Sequence, residues 1–145
     1  MEYIFGPSFE CTNLILDRRV SSVRFAGVPT DYKADTFTIY AREYFQGAED
    51  FTTSDKPTVV VTYHESLIIT GNSSWTVYDQ RYYGGNSICL SITGSSYAPQ
   101  FIPSLSSIGV PNGSIQSMRK GCFAENIKKL TGDIVKGSNF EAISG

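Results

Sequence analysis

The chain has 145 residues, of which 41% are hydrophobic, and this suits one domain with its own core, with or without appendages. The formal net charge is −2, so the composition implies no basic face for nucleic acid or for an anionic membrane. No apolar run approaches the ~20 residues of a membrane-spanning helix. Nucleic acid binding and a membrane span are therefore not expected.

Residues 1 to 35 are assigned to an N-terminal appendage that contains one predicted strand, near Val20 to Phe25. The stretch from Leu16 to Arg24 resembles a strand that closes a structural motif, together with the loop before it. Such a strand normally follows its motif, whereas this one precedes the clearest pattern in the chain. It either extends one sheet of the following domain or is the remainder of a degenerate earlier motif, and the sequence leaves both open.

Two stretches share a pattern of aromatic residues and glycine at an offset of 38 positions. The first unit runs from Asp35 to Thr52 and the second from Trp75 to Leu90. Alternating aromatic and β-branched residues before a polar turn predict a hairpin with one buried face in each unit. The repeated spacing indicates an internal repeat. Its four matched positions are Phe37 and Trp75, Tyr40 and Tyr78, Phe45 and Tyr83, and Gly47 and Gly85.

The segments around the second unit predict shorter elements. Lys56 to Tyr63 predicts a strand whose proline lies near its start, and Ser66 to Thr70 predicts another. The Gly-, Ser- and Pro-rich stretch from Leu90 to Gly113 predicts a long loop with at most a short helix or strand near Phe101 to Ile108. Apolar residues at helical spacing predict a terminal helix from Ala124 to Val135.

The two units and the segments after them resemble the βγ-crystallin Greek-key family. The resemblance covers about residues 36 to 122. It implies an all-β sandwich of two Greek keys, to which the sequence adds an N-terminal extra strand and a short C-terminal helix in residues 123 to 145. Ser66–Ile69 and Ile115–Arg119 resemble the closing strands of the two keys. The second unit carries the signature at Trp75, Val77, Tyr78, Asp79, Tyr83, Gly85 and Leu90, while Ala41 departs from it in the first unit.

The resemblance also implies calcium, bound by oxygen atoms of a loop before each closing strand. The predicted ligands are Asp17, Ser21, Asn112 and Gln116. Arg18 and Gly113 stand where the family has an acid or amide, and Arg18 would repel the ion. The alternative is that both loops have decayed into ordinary tight turns.

No residue pattern indicates catalysis. His64 is the only histidine and lies in no nucleophile motif, so it is expected on a strand edge rather than in an active site. Glu43, Glu49 and Asp50 lie in a hairpin, where solvated charge is the ordinary outcome. No phosphate loop, EF-hand or dinucleotide motif occurs, so no cofactor besides possible calcium is predicted.

Cys11, Cys89 and Cys122 are too widely spaced for a zinc ribbon or a redox motif. They permit either buried thiols or one disulfide with one thiol left over, and a bond from Cys11 to Cys122 would tie the two appendages together. Acceptor sequons at Asn72 and Asn112 are compatible with secretion. Residues 1 to 16 do not read as a signal peptide, so the chain is either intracellular or a mature secreted protein.

Aromatic residues beyond those that the signature requires suggest a protein or glycan partner, although core and corner positions are the alternative. The leading hypothesis is a secreted, non-enzymatic binding protein with a role in defence or extracellular matrix. The alternatives are a structural or calcium-binding stress or storage protein, and a secreted toxin, antimicrobial or protease inhibitor. The extra aromatics are Tyr44, Phe45, Tyr82, Tyr83, Tyr97 and Phe101.

Overall fold

A computed structural model describes residues 26–28, 30–92, 97 and 99–130, and it contains two four-stranded sheets. The first sheet has the order β2-β1-β3-β6 and the second β7-β4-β5-β8. The strands are β1 Thr36–Arg42, β2 Gln46–Thr52, β3 Ser66–Thr70, β4 Trp75–Gln80, β5 Gly84–Ile92, β6 Gln100–Ile102, β7 Ser117–Lys120 and β8 Ile127–Leu130. Short 3-10 turns span Glu43–Phe45, Arg81–Tyr83 and Leu105–Ile108. The predicted strand near Val20 to Phe25 lies outside the described residues.

The two halves of the chain exchange segments between the sheets. β6 follows the second hairpin in sequence but pairs with β3 of the first sheet. In return, Lys56 forms an antiparallel bridge with Met118 on β7 of the second sheet. This reciprocal exchange joins the two halves through backbone hydrogen bonds, and it is the all-β Greek-key arrangement that the sequence predicts.

A buried serine holds the folded corner of each hairpin. Ser66 Oγ donates to the carbonyl of Arg42 at 2.6 Å and accepts the backbone N–H of Phe45 at 3.0 Å. Ser117 Oγ makes the same two contacts, with the carbonyl of Gln80 at 2.7 Å and the N–H of Tyr83 at 3.0 Å. Each closing strand therefore fastens the corner of its own unit.

The core lies between the sheets and is formed by alternate residues of the central strands. Phe37 and Trp75 are both fully buried, as predicted, and their ring centroids are 5.5 Å apart. Branched aliphatic residues of β1, β3, β4 and β5 and of the turns that precede β7 complete the layer. They include Ile39, Leu67, Ile69, Val77, Leu90, Leu105, Val110 and Ile115.

The predicted strand from Lys56 to Tyr63 is wrong beyond its first residue. Pro57 has no N–H to donate, and the N–H of Val60 bonds to the Asp50 carboxylate at 2.7 Å instead of to a strand. The Lys56 bridge, the bond from the Val59 N–H to the Gln116 carbonyl and the bond from the Tyr82 N–H to the Pro57 carbonyl connect the segment to the second half of the chain. By contrast, β6 and the turn Leu105–Ile108 confirm the prediction of short elements near Phe101 to Ile108.

The predicted helix from Ala124 to Val135 is wrong where the structure describes it. Residues Ile127–Leu130 form β8, which pairs in parallel with β5, and residues 131–135 lie outside the described part. The N–H of Cys89 bonds to the Asn126 carbonyl at 2.8 Å, so the open edge of β5 provides backbone hydrogen-bond partners for this segment. A short isolated helix is only marginally stable in water, and the segment forms a strand instead. The second sheet thus continues past residue 122.

The predicted bond from Cys11 to Cys122 is also wrong, because Cys122 is bonded to Cys89 with their Cα atoms 5.2 Å apart. After β7 the chain turns at Gly121 and crosses the start of β4. There the hydroxyl of Thr76 donates to the Gly121 carbonyl and accepts the N–H of Phe123. Since Thr76 pairs directly with Cys89, this crossing brings Cys122 to its partner.

Candidate functional site

The loop from Asn112 to Ser117, predicted as part of a calcium site, is held by hydrogen bonds of its own side chains. Asn112 Nδ2 donates to Glu65 Oε2 at 3.2 Å, and Gln116 Nε2 donates to the Gly113 carbonyl at 3.3 Å. Both amides act as donors in this arrangement. The structure thus places Asn112 and Gln116 in one loop, while the other two predicted ligands, Asp17 and Ser21, lie outside the described residues.

The donor set of this loop does not fit calcium as it is arranged. Calcium takes six to eight oxygen ligands, preferably including several carboxylates. Here Glu65 is the carboxylate that meets the loop, and the Gly113 carbonyl already accepts an amide N–H. Across residues 26–28, 30–92, 97 and 99–130, no three His, Cys, Asp or Glu side chains form a group able to hold a metal. Calcium binding therefore stays a prediction that requires both amides to turn.

His64 holds this loop through hydrogen bonds, a role that the sequence did not reveal. The side chain is fully buried rather than on a strand edge, because both ring nitrogens find partners inside the fold. Nε2 accepts the N–H of Ile115 at 2.9 Å, and Nδ1 lies 3.0 Å from the Val61 carbonyl. A neutral imidazole with its proton on Nδ1 satisfies both contacts. The His64 carbonyl also accepts the N–H of Gly113.

Lowering the pH from about 7.5 to about 5 is expected to destabilise the protein through His64. Burial lowers the pKa of His64, while the Val61 carbonyl and the Asp50 carboxylate act in the opposite direction. Because the folded state keeps the ring neutral while the unfolded chain protonates near pH 6.5, the unfolded state binds more protons in this range. Stability is thus fully present above about pH 6.5 and decreases below it, by at most ~1.4 kcal/mol per pH unit.

Urea unfolding at a series of pH values, followed by circular dichroism, measures this dependence. The matched control is His64→Gln, whose side-chain oxygen can still accept the Ile115 N–H but does not titrate. An equal pH dependence in both proteins would show that another group is responsible.

Asp50 is buried, contrary to the expectation of a solvated hairpin carboxylate. Its side chain is 8% exposed and accepts the N–H of Val60, and it lies 2.7 Å from Lys56 Nζ. The charge is therefore paired and hydrogen-bonded, as a buried carboxylate must be. These contacts join β2 to the segment that crosses to the second sheet.

Of the six predicted surface aromatics, Tyr83 and Tyr97 are half-buried, and the other four divide into two groups. Phe45 and Phe101 are buried and pack against each other at 5.9 Å. Tyr44 and Tyr82 are 45% and 73% exposed, and each lies at the folded corner of a hairpin. Both adopt left-handed backbone conformations, with φ of 56°, that few residues other than glycine occupy. The corners thus present two tyrosines to solvent.

A cleft of about 220 Å³ opens between the β4–β5 hairpin and the turn formed by residues 110 to 115. Its floor is apolar and includes Val77 and Ile115, whereas Asp79, Asn86 and Ser114 contribute polar groups. Sequence reasoning identified Asp79 only as a signature position. The cleft could not be found in the sequence because its two walls are more than twenty residues apart.

Two exchanged Greek keys in two packed sheets define a class of protein. Comparison with solved structures shows that this class is the βγ-crystallin-like fold. A βγ-crystallin from an archaeon is 27% identical, with a TM-score of 0.51 over 60% of this chain and 98% of the other.

Two other structures are also similar to the chain. The fifth crystallin domain of the non-lens protein Absent in melanoma 1 is 24% identical, with a TM-score of 0.49 over 60% of this chain and 87% of that domain. Geodin, a βγ-crystallin from Geodia cydonium, is 24% identical, with a TM-score of 0.49 over 58% of this chain and 47% of its own. No protein-family model and no curated protein matches the chain.

Proposed function

We propose that this protein is a non-enzymatic, extracellular binding protein that uses the βγ-crystallin-like sandwich as a rigid scaffold. The observation that carries the proposal is the exposed Tyr82 at a fixed hairpin corner. More specifically, we propose a role in defence or in the extracellular matrix. Its alternatives are a structural or storage protein and a secreted toxin, antimicrobial or protease inhibitor.

The corner around Tyr82 is held from both sides. The N–H of Tyr82 bonds to the Pro57 carbonyl at 2.8 Å, and the next N–H, of Tyr83, bonds to Ser117 Oγ. An exposed tyrosine on a fixed backbone offers a large amphipathic surface with few rotatable bonds to order. Such side chains are over-represented among the residues that dominate binding energy.

The chemistry around His64 supports a function without catalysis. It is the only histidine of the chain, and both of its ring nitrogens have partners in the fold. A general base needs a free nitrogen within reach of a substrate proton, and this ring is buried.

The disulfide between Cys89 and Cys122 is compatible with an extracellular location, because such bonds persist in oxidising compartments. Within the described part of the chain, no helix has the length and apolarity to cross a bilayer.

Tyr82→Ala is expected to weaken binding to a captured protein or glycan partner by about tenfold or more, without changing the melting temperature by more than a few degrees. The measurement uses the immobilised protein against a glycan array and a panel of extracellular proteins, followed by titration of any ligand found. Tyr44→Ala, at the equivalent corner of the first unit, is the matched control and should bind normally. Unchanged affinity in Tyr82→Ala would remove this corner from the proposal.

Calcium binding is a second candidate, which rests on the resemblance of the two loops to calcium-binding loops and requires the amides of Asn112 and Gln116 to turn away from their present acceptors. The predicted loop around Asp17 and Ser21 would form the other site. Because Arg18 and Gly113 replace acids or amides, the proposed affinity is in the millimolar range.

The expected effect of about 10 mM calcium is a rise of a few degrees in melting temperature relative to EDTA, since the metal stabilises only the folded chain. Magnesium serves as the control ion. Asp17→Ala and Asn112→Ala separate the two loops, because each should abolish only the contribution of its own loop. If calcium and magnesium have the same effect, both loops are ordinary turns.

A further inference from the structure

The cleft beside β4 and β5 carries polar groups that are already oriented. Asp79 Oδ1 accepts the N–H of Asn86 at 2.8 Å, and Asp79 Oδ2 accepts Asn86 Nδ2 at 3.0 Å. Both oxygens are therefore fixed in position, and each retains a lone pair for a further donor. Ser87 and Ser114 line the same cleft.

These polar groups surround an apolar floor. Val77 and Ile88 contribute to this floor from β4 and β5, and Val110 and Ile115 contribute from the turn before β7. The lining thus combines hydroxyl and carboxylate groups with a hydrocarbon surface.

The first unit does not reproduce this arrangement, although its hairpin has the same register. Tyr40 pairs with Glu49 as Tyr78 pairs with Ser87. The positions that match Asp79 and Asn86 are Ala41 and Ala48, which cannot form the carboxylate–amide pair.

The position that matches Ile88 is Asp50, and its carboxylate bonds to Val60 and Lys56. Ala41 departs from the signature that Asp79 keeps, so the first unit has neither the carboxylate–amide pair nor an apolar residue at position 50. The carboxylate–amide pair beside an apolar residue is therefore a feature of the second hairpin that the first does not share.

We infer that this cleft binds a single neutral sugar ring. Carboxylate and amide groups can exchange hydrogen bonds with neighbouring hydroxyls, and the apolar floor can pack against the C–H face of the ring. An anion does not fit, because the lining contains a carboxylate and none of its residues is a lysine or arginine. The volume of about 220 Å³ is below the usual range for larger ligands, which selects one ring rather than an extended chain.

This inference rests on the proposed binding function and adds a ligand class at a surface distinct from the Tyr82 corner. A single ring with about twelve heavy atoms gains little free energy per atom and binds with a Kd on the order of millimolar. Recognition of a terminal sugar on a larger partner is the use that such a weak site would serve.

The test is a two-dimensional NMR titration of the full chain with glucose, galactose, mannose and N-acetylglucosamine, with acetate and methylammonium as charged controls. At least one sugar should produce saturable shift changes at the amides of Asp79, Asn86 and Ser114. Saturable changes at these amides with methylammonium and with no sugar would overturn the inference in favour of a cation site. An absence of changes with all sugars would also overturn it.

Asp79→Asn removes a carboxylate acceptor, and Ser114→Ala removes a hydroxyl from the opposite wall without altering the β4–β5 pair. Each should weaken sugar binding at least tenfold, whereas Glu43→Gln, on the corner of the first unit, should not. If Asp79→Asn fails to fold, Ser114→Ala decides the outcome, and unchanged affinity there overturns the inference. Partner binding that depends on Tyr82 while no sugar binds would reject the cleft and retain the proposed function; the converse would reject the Tyr82 corner alone.

Discussion

Trp75→Ala is expected to lower the free energy of unfolding by about 3–5 kcal/mol, the largest effect of any single substitution considered for this protein. Trp75 is fully buried at the start of β4, where it pairs with Leu90 on one side and Lys120 on the other. Its ring packs against Phe37 of the first sheet. Its removal therefore opens a cavity at the contact between the two sheets, which the surrounding strands can close only in part.

Trp75→Phe is the informative companion variant, because the first unit already has phenylalanine at the matched position. The indole Nε1 of Trp75 is buried and has no hydrogen-bond partner among the described residues. Replacement by phenylalanine removes this unsatisfied donor together with part of the ring, so the cost should be less than half that of alanine.

Urea unfolding followed by far-UV circular dichroism measures both variants, since the only tryptophan fluorophore is lost. Phe51→Ala, on the edge strand β2 and partly exposed, is the control and should cost less than about 1 kcal/mol. An equally small effect for Trp75→Ala would contradict the assignment of this residue to the central core.

Replacing Cys89 and Cys122 together by alanine is expected to lower the free energy of unfolding by roughly 3 to 4 kcal/mol. The bond closes a loop with a sequence separation of 33, and the loop-entropy model gives about 3.7 kcal/mol for this length. A bond between Cys11 and Cys122, the predicted pair, would close a longer loop, and its loss would lower the free energy of unfolding by more. The loss should be strongest near β8, because Cys122 anchors the segment that leads to that strand.

Hydrogen exchange locates the effect, and unfolding measures it. In the double variant, amides of Ile127–Leu130 should exchange faster, while those of β1 and β3 should change only through global unfolding. Cys11→Ala is the control and should leave the disulfide intact. Thiol counting on the denatured, unreduced chain should give one free thiol, and three free thiols would contradict the pairing.

Short-range patterns predicted much of the fold. Alternating residues placed both hairpins, because a strand with one buried face requires a period of two. The matched positions Phe37 and Trp75 were expected to be buried and equivalent, and they meet in the core. Ser66–Ile69 and Ile115–Arg119 were expected to be the closing strands. Ser66 and Ser117, which lie in these segments, hold the folded corners of the two hairpins.

The candidate sites were less accessible from the sequence. Asn112 and Gln116 were identified through a motif, but their hydrogen bonds with Glu65 and Gly113 depend on chain that folds next to the loop. The role of His64 was missed because its partners are Val61 nearby and Ile115 across the sandwich. A single histidine in a polar segment does not indicate that its ring will contact a residue as distant in sequence as Ile115.

The amino-acid sequence by itself determined the all-β class, the two hairpins and the aromatic core of this protein, because these depend on the order of residues within ten or twenty positions. Only the tertiary structure decided the pairing of β8 with β5, the disulfide from Cys89 to Cys122 and the burial of Asp50. Each of these depends on which groups are left without partners after the sheets form. The open edge of β5, the nearby thiol of Cys89 and the N–H of Val60 are such groups, and they become neighbours only when distant segments of the chain have packed together.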